Sequence, residues 1–272
     1  MSRNSEHQNK SVFVAGGSSG INLGIALGFA RAGARVAILS RNRDKIDAAL
    51  EVIGQAGGPD PLGFAGDVRD PEAVAAALRD AHAAHGPFDV LVSGAAGNFP
   101  ALAADLSPNG FKAVVDIDLL GSFNVLRGAY EWLRRPGASV INISAPQAVS
   151  PMAGQIHVCA AKAGVDMLTR VLAIEWGAQG IRVNSIIPGP INGTEGMRRL
   201  APSPEALAAV AASVPLGRLG EVEDIAAAAL MLSSASAGFI TGAVLPVDGG
   251  WSLGGDRVAA TTVIAGARAP RS

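Results

Sequence analysis

Short apolar runs with few internal charges alternate with longer Ala- and Leu-rich stretches through most of the 272-residue chain. This alternation constrains the fold more than any other feature. Strand-type runs at 11–15, 35–40, 62–64, 88–93, 138–144, 182–187 and 244–247 are separated by helical stretches at 20–32, 43–54, 71–85, 110–132, 157–177 and 222–232. Strands that alternate with helices predict a parallel sheet with crossover helices. Strands that carry few charges are those covered by helices on both faces. The expectation is an α/β fold, a single doubly wound parallel sheet of about seven strands. No linker divides it. Residues 1–10 read as a flexible N-terminus, 11–252 as the domain and 253–272 as a C-terminal tail. The connection at 189–215 is polar at first and helical over 204–212; so long a connection in a compact domain is expected to be a substrate lid.

Composition removes several classes of function. A formal net charge of −1 offers neither a basic footprint for nucleic acid nor a polybasic membrane anchor. The single cysteine, Cys159, excludes an intramolecular disulfide and a cysteine zinc site, so no metal is expected. The polar first ten residues lack the apolar stretch of a signal peptide. No run reaches the ~20 apolar residues of a spanning helix. The last residues match no targeting signal, and a cytoplasmic protein is expected.

The first strand runs into Ala15-Gly16-Gly17-Ser18-Ser19-Gly20-Ile21-Asn22 and directly into a helix. Glycines there let the backbone turn sharply and approach a pyrophosphate held at the helix N-terminus, the arrangement of a Rossmann-type dinucleotide site. At the end of the second strand, an acidic residue would bind the ribose hydroxyls of NAD. This chain has Ser40-Arg41-Asn42-Arg43 instead, groups suited to a 2′-phosphate, and the expected cofactor is NADP(H). Asp67, after the third strand, is placed to accept from the adenine amino group.

The Gly16–Ile21 turn, Asp67, Ala95-Ala96-Gly97, Lys162, Pro188-Gly189 and Val247-Asp248-Gly249-Gly250 fall in an order that resembles the short-chain dehydrogenase/reductase family over essentially the whole chain. That family's usual chemistry is carbonyl reduction by a Tyr and a Lys four residues apart, with a Ser and an Asn completing the site. Here Lys162 is present, but Val158 stands at the Tyr position, Ala145 at the Ser position beside Ser144, and Asp118 at the Asn position. The only tyrosine, Tyr130, lies in a different helix. Two further departures flank the glycine turn: Ala15 stands where a threonine is usual and Asn22 where a third glycine is usual, and both are expected to lower cofactor affinity.

The segments Ala95-Ala96-Gly97-Asn98-Phe99, Asp116-Ile117-Asp118, Gln155-Ile156-His157 and Gly193-Thr194-Glu195-Gly196-Met197-Arg198-Arg199-Leu200 resemble one branch of the family, the 2,4-dienoyl-CoA reductases of the peroxisomal type. The resemblance implies that hydride reaches the δ carbon of a conjugated acyl-CoA thioester and that a held water protonates the α carbon. It assigns Asp118, Lys162, His157 and Ser144 to the reaction. Gly16, Ser18, Ser19, Gly20, Ile21, Arg41, Asp67, Lys162, Pro188 and Ile191 fall to the cofactor, and Arg69, Phe99, Ser107, Asn109 and Arg199 to the substrate. A carboxylate at 118, in a helix apolar on nearly every side, needs a partner. It either organises a water or bonds a neighbouring backbone group. His157 either serves the reaction or is structural, Ser144 either bonds the ligand or only ends a strand, and Cys159 reads as a packing residue.

Two other functions remain open at this point. One is a carbonyl or enone reductase with a non-standard proton donor; the other is a catalytically silent NADP(H)-binding protein. The apolar character of the helix at 110–132 also implies a homo-oligomer, a dimer or tetramer such as a homotetramer.

Overall fold

The computed structural model describes residues 6–254, without the side chains of 199 and 200. Every residue of β1 (Ser11–Ala15) is buried, because its alternate side chains enter two separate cores. Val12 and Val14 pack with Ile25, Phe29, Val36 and Ile38 on one face of the sheet. Phe13 and Ala15 pack with Leu39, Leu78, Leu91 and Leu126 on the other. A strand buried on both sides must be apolar at successive positions, which is why these runs do not alternate with polar residues.

β2 (Arg35–Ser40), β3 (Leu62–Ala65), β4 (Val90–Ser93), β5 (Ser139–Ile143), β6 (Arg182–Pro188) and β7 (Val244–Val247) complete the sheet. Its order is β3-β2-β1-β4-β5-β6-β7, and all neighbours are parallel. The order reverses between β1 and β4. In an open parallel sheet, ligands bind in the crevice at the carboxyl ends of the strands beside such a switch point.

The helices are α1 (Gly20–Arg31), α2 (Arg43–Gln55), α3 (Pro71–His85), α4 (Pro108–Val115), α5 (Gly121–Ala129), α6 (Ile156–Gly177), α7 (Glu195–Leu200), α8 (Pro204–Ser213) and α9 (Val222–Ser233). Several begin at a side chain that accepts from a free backbone N–H: Asn42 from Lys45, Asp70 from Glu72 and Ala73, and Ser107 from Gly110. α1 is different. Its N-cap, Ser19, makes no side-chain capping bond.

Two expectations change. The stretch at 110–132 is not one regular helix, since α4 and α5 are separated by a π-helical turn at Asp116–Leu120 and followed by a 3₁₀ turn at Tyr130–Trp132. The wide turn carries Asp118 inward. Within the stretch read as a flexible N-terminus, His7 is docked on the domain. His7 is 3% exposed, bonded through Nε2 to Ser233 Oγ (2.9 Å), with its ring 5.5 Å from that of Phe29. The C-terminal tail beyond residue 254 lies outside the described residues.

Burial holds the imidazoles of His7 and His85 below their ordinary pKa, with Lys10 adding to the effect at His7 and Arg35 at His85. The unfolded chain protonates these rings near pH 6.5, the folded chain only at lower pH. The unfolded state therefore binds more protons in that interval, and stability falls as pH is lowered through it. Thermal unfolding between about pH 7.5 and 5.5 should show a falling midpoint, with a shallower slope in a His7→Gln/His85→Gln variant. An unchanged slope would mean that neither ring is held neutral by the fold.

Candidate functional site

The crevice at the carboxyl ends of the strands has two connected parts. The outer part is lined by Gly16, Ser18 and Ser19 of the glycine turn, Ser40 and Arg41 at the end of β2, Asp67 after β3, and the start of the loop after β4. At Gly16 (φ +83°) an added Cβ would lie 2.9 Å from the backbone of Ala95, so only glycine lets the turn lie against the β4 loop. Ser18 Oγ donates to Ser40 Oγ (2.7 Å), tying the turn to the end of β2.

These residues fit a dinucleotide. The N-terminus of α1, which has no side-chain cap, opens at a cleft whose walls include glycines, serines and the Arg41 guanidinium, which suits a pyrophosphate and an additional phosphate. Bound nicotinamide would then lie toward the inner cavity, whose wall includes the expected contacts Ile21, Lys162, Pro188 and Ile191.

Asp67 lines the outer cleft, but its carboxylate is already engaged. Arg69 donates from Nε to Oδ1 (3.0 Å), from Nη2 to Oδ2 (2.6 Å) and from its backbone N–H to Oδ1 (2.9 Å). The bonds from Arg69 hold the Asp67 carboxyl below the usual carboxylate range, with Arg41 adding to the effect. Arg69, expected among the substrate contacts, is bonded to Asp67.

The inner cavity, about 330 Å³, holds the buried ion pair of Asp118 and Lys162. Their side chains are 1% and 6% exposed, with Asp118 Oδ2 3.3 Å from Lys162 Nζ. Each has a second bond to backbone: Gly97 N–H donates to Asp118 Oδ1 (2.7 Å), and Lys162 Nζ donates to the carbonyl of Ile143 (3.0 Å). The π turn supplies the carboxylate and α6 supplies the ammonium. The Ser122 hydroxyl fixes the carbonyl of Asp118 from below (2.6 Å). Ser144, at the end of β5, joins the wall, as does Val158 at the position one helical turn before Lys162. Tyr130 is elsewhere. Its hydroxyl pairs with Gln179 and its ring lies 5.0 Å from that of Trp176.

The remaining expected residues separate. His157 is fully buried beneath Phe99, rings 4.7 Å apart and edge to face, and neither ring nitrogen has a protein hydrogen-bond partner among the described residues. It does not line the cavity. Ser107 caps α4, and Asn109 lies in that helix's first turn. The backbone of Arg199 lies in α7; its side chain lies outside the described residues.

Three amides and two methionines were not among the expected site residues. Gln147 Nε2 donates to Gln155 Oε1 (2.7 Å), Asn98 Nδ2 approaches the same oxygen (3.5 Å), and Met152 and Met197 line the same cavity. Gln147 lies just beyond the end of β5, and that position at the carboxyl end of a central strand was the available signal.

A family model described as enoyl-(acyl carrier protein) reductase matches residues 15–252. A curated relative from Pongo abelii, "Peroxisomal 2,4-dienoyl-CoA reductase [(3E)-enoyl-CoA-producing]", is 45% identical over 244 residues, covering 89% of this chain and 84% of the relative. The Danio rerio protein of the same name is 43% identical over 239 residues, covering 88% and 80%. Among solved structures, a short chain dehydrogenase from Bacillus anthracis superposes with a TM-score of 0.79 at 38% identity, covering 90% of this chain and 97% of that one.

Removing one member of a buried ion pair leaves an uncompensated charge, which costs more than removing both. Urea unfolding should show Asp118→Ala destabilised by about 3 kcal/mol, and Asp118→Ala/Lys162→Met by clearly less. Additive losses would mean that the two groups do not stabilise one another.

Proposed function

Because the chain belongs to the short-chain dehydrogenase/reductase family, we propose that this oxidoreductase is an NADPH-dependent reductase of a conjugated C=C bond in an acyl-CoA thioester, of the 2,4-dienoyl-CoA reductase kind. The observation that carries the reading is the buried Asp118–Lys162 pair in a cavity where Val158 offers no acidic hydroxyl. Carbonyl reduction needs a proton for a developing alkoxide at once. Reduction of a conjugated thioester needs a place for negative charge and a proton at carbon, and water can supply the proton.

NADPH, when bound, supplies the hydride. Its 2′-phosphate is assigned to Ser40 and Arg41, its pyrophosphate to the N-terminus of α1, and its nicotinamide end to Ile21, Lys162, Pro188 and Ile191. Hydride enters the δ carbon, the remaining double bond shifts to the β,γ position, and the electron pair reaches the thioester oxygen. Ser144 donates to that oxygen, and the Lys162 ammonium stabilises it through its field. Asp118 holds Lys162 in place and accepts a hydrogen bond from a water, which delivers a proton to the α carbon; the resulting hydroxide is neutralised from solvent. His157 acts only through Phe99, against whose ring it packs. Phe99 is assigned to the acyl chain, Ser107 and Asn109 to further substrate contacts, and Arg199 to the CoA phosphates. The segment at 189–215 is assigned as the lid, since Thr194, Gly196 and Met197 already form part of the cavity wall. A cytoplasmic location belongs to the same reading, in keeping with the single cysteine.

The test is NADPH oxidation with a 2,4-dienoyl-CoA, a trans-2-enoyl-CoA and a 3-ketoacyl thioester in parallel. Turnover of the dienoyl thioester, lowered about 100-fold or more in kcat by Asp118→Ala, is expected. Turnover of the keto substrate alone would sink the reading, and NADPH binding without oxidation by any of the three would identify a silent binder. Loss of a charged hydrogen bond in Arg41→Ala should weaken NADPH binding about tenfold while changing NADH binding little. Equal losses for both cofactors would remove the 2′-phosphate assignment.

The reading also includes a homo-oligomer. Phe111, Leu120 and Phe123 of the α4–α5 stretch and Met167, Val171 and Ile174 of α6 are exposed, Ile174 to 82%, and an apolar surface of this kind suits a symmetric helix-pair interface. Light scattering should report a smaller species for Met167→Glu/Ile174→Glu than for the parent. An unchanged mass would exclude this face.

A further inference from the structure

We propose that Asn22 and Gly94 form a matched pair that fixes the pyrophosphate-binding turn against β4, which makes Asn22 a positioning residue for the cofactor. The assignment rests on the dinucleotide reading above and adds a residue to it.

Asn22 lies in the first turn of α1, two residues beyond Gly20, and it lines both the outer cleft and the inner cavity. It therefore stands where the two halves of a bound dinucleotide would meet. Its Nδ2 donates to the carbonyl of Gly94 (2.7 Å), at the end of β4. Gly94 in turn donates its N–H to the carbonyl of Ala15 (3.2 Å), the last residue of β1. One short circuit of bonds thus joins the end of β1, the end of β4 and the start of α1.

The fit is reciprocal. A Cβ built on Gly94 would lie 2.2 Å from Asn22 Oδ1 and 2.6 Å from its Cγ, so the amide occupies the space a side chain at 94 would need. On its other side, Nδ2 lies 3.0 Å from the Cβ position of Gly16. A side chain larger than hydrogen at 22 must go somewhere between α1 and the sheet, and it goes where residue 94 has none. The amide also supplies a bond from helix to strand that glycine at 22 would not make. Ala15 contributes no side-chain hydrogen bond to the turn, so the amide of Asn22 makes the polar link there. The two departures from the glycine fingerprint are, on this geometry, compensated.

Asn22 Oδ1 is buried and has no protein hydrogen-bond partner among the described residues. A carboxylate in its place would face the Gly94 carbonyl without a donor and stand beside the bound pyrophosphate. The amide is therefore required for its N–H as well as for its shape.

The experiment is a double-mutant cycle on the full chain, read by NADPH titration and by thermal unfolding of the cofactor-free protein. Asn22→Ala should weaken NADPH binding about tenfold, and Asn22→Asp more. Binding of 2′-AMP, which lacks the pyrophosphate, should stay within about twofold, because the adenosine end does not touch the pair. A general loosening of the fold would weaken both ligands together, and that result would overturn the assignment. Gly94→Ala should impair binding and lower the melting temperature in the parent, with both effects largely gone in the Asn22→Gly background. Equal effects of Gly94→Ala in the two backgrounds would also overturn it. If Gly94→Ala fails to fold alone, folding of Asn22→Gly/Gly94→Ala supports the pair, and its failure refutes it. Should the parent bind no NADP(H), the melting cycle still decides the pairing while the cofactor reading fails separately.

Discussion

The contact on which the cavity depends is the one between Asp118 and Lys162. Burying two charges is costly, and mutual attraction offsets that cost only when the remaining donors and acceptors are also satisfied. Here each partner has a backbone group as its second ligand, Gly97 N–H for the carboxylate and the Ile143 carbonyl for the ammonium. The pair therefore joins four separate pieces of chain: the loop after β4, the end of β5, the π turn between α4 and α5, and α6. A displacement of any one would leave a buried charge short of one partner. This is how a cavity walled largely by apolar side chains keeps a fixed charged floor.

The outer cleft is built on the opposite principle. The N-terminus of its helix is left open to a ligand. α2, α3 and α4 have their first N–H groups satisfied by their own N-cap side chains, whereas α1, the helix that opens into the cleft, does not. The free N–H groups and the positive end of the helix together favour an anion there. The carboxylate of Asp67 is already paired with Arg69, which lowers its pKa and offsets its charge in the cleft.

The parts legible in the sequence were those set by backbone geometry and periodicity. The strands are apolar because both faces are covered, and the turn at Gly16 needs glycine because Ala95 lies against it; neither depends on distant side chains. The π turn at Asp116–Leu120 was not legible, because one extra residue per turn hardly alters the spacing of Val114, Ile117 and Leu126 as a pattern. Asp118 stood out nonetheless as a carboxylate among apolar neighbours that needs a partner, and the structure supplies Lys162. The bond between Arg69 and Asp67 was not read from the sequence, because a surface arginine near a ligand site reads the same whether it meets a phosphate or the carboxylate two residues away. His7 was overlooked for a similar reason: its partner, Ser233, is remote in the chain, and nothing local distinguishes a docked terminus from a free one.

The two principles meet at the wall between cleft and cavity. Reduction of a conjugated thioester places negative charge on an oxygen several bonds from the carbon that receives hydride. A site for it needs a fixed cation and donors at one end and an apolar surround at the other. Lys162 and Ser144 line the cavity, and Val158, Met152, Met197 and Trp251 supply apolar wall. The amides of Gln147 and Gln155, bonded to one another, add polarity without charge, so they do not compete with Asp118 for the ammonium. A tyrosine at 158 would place a second acid beside Lys162. Valine there adds none, and the field of Lys162 would be available to an oxyanion on a conjugated thioester.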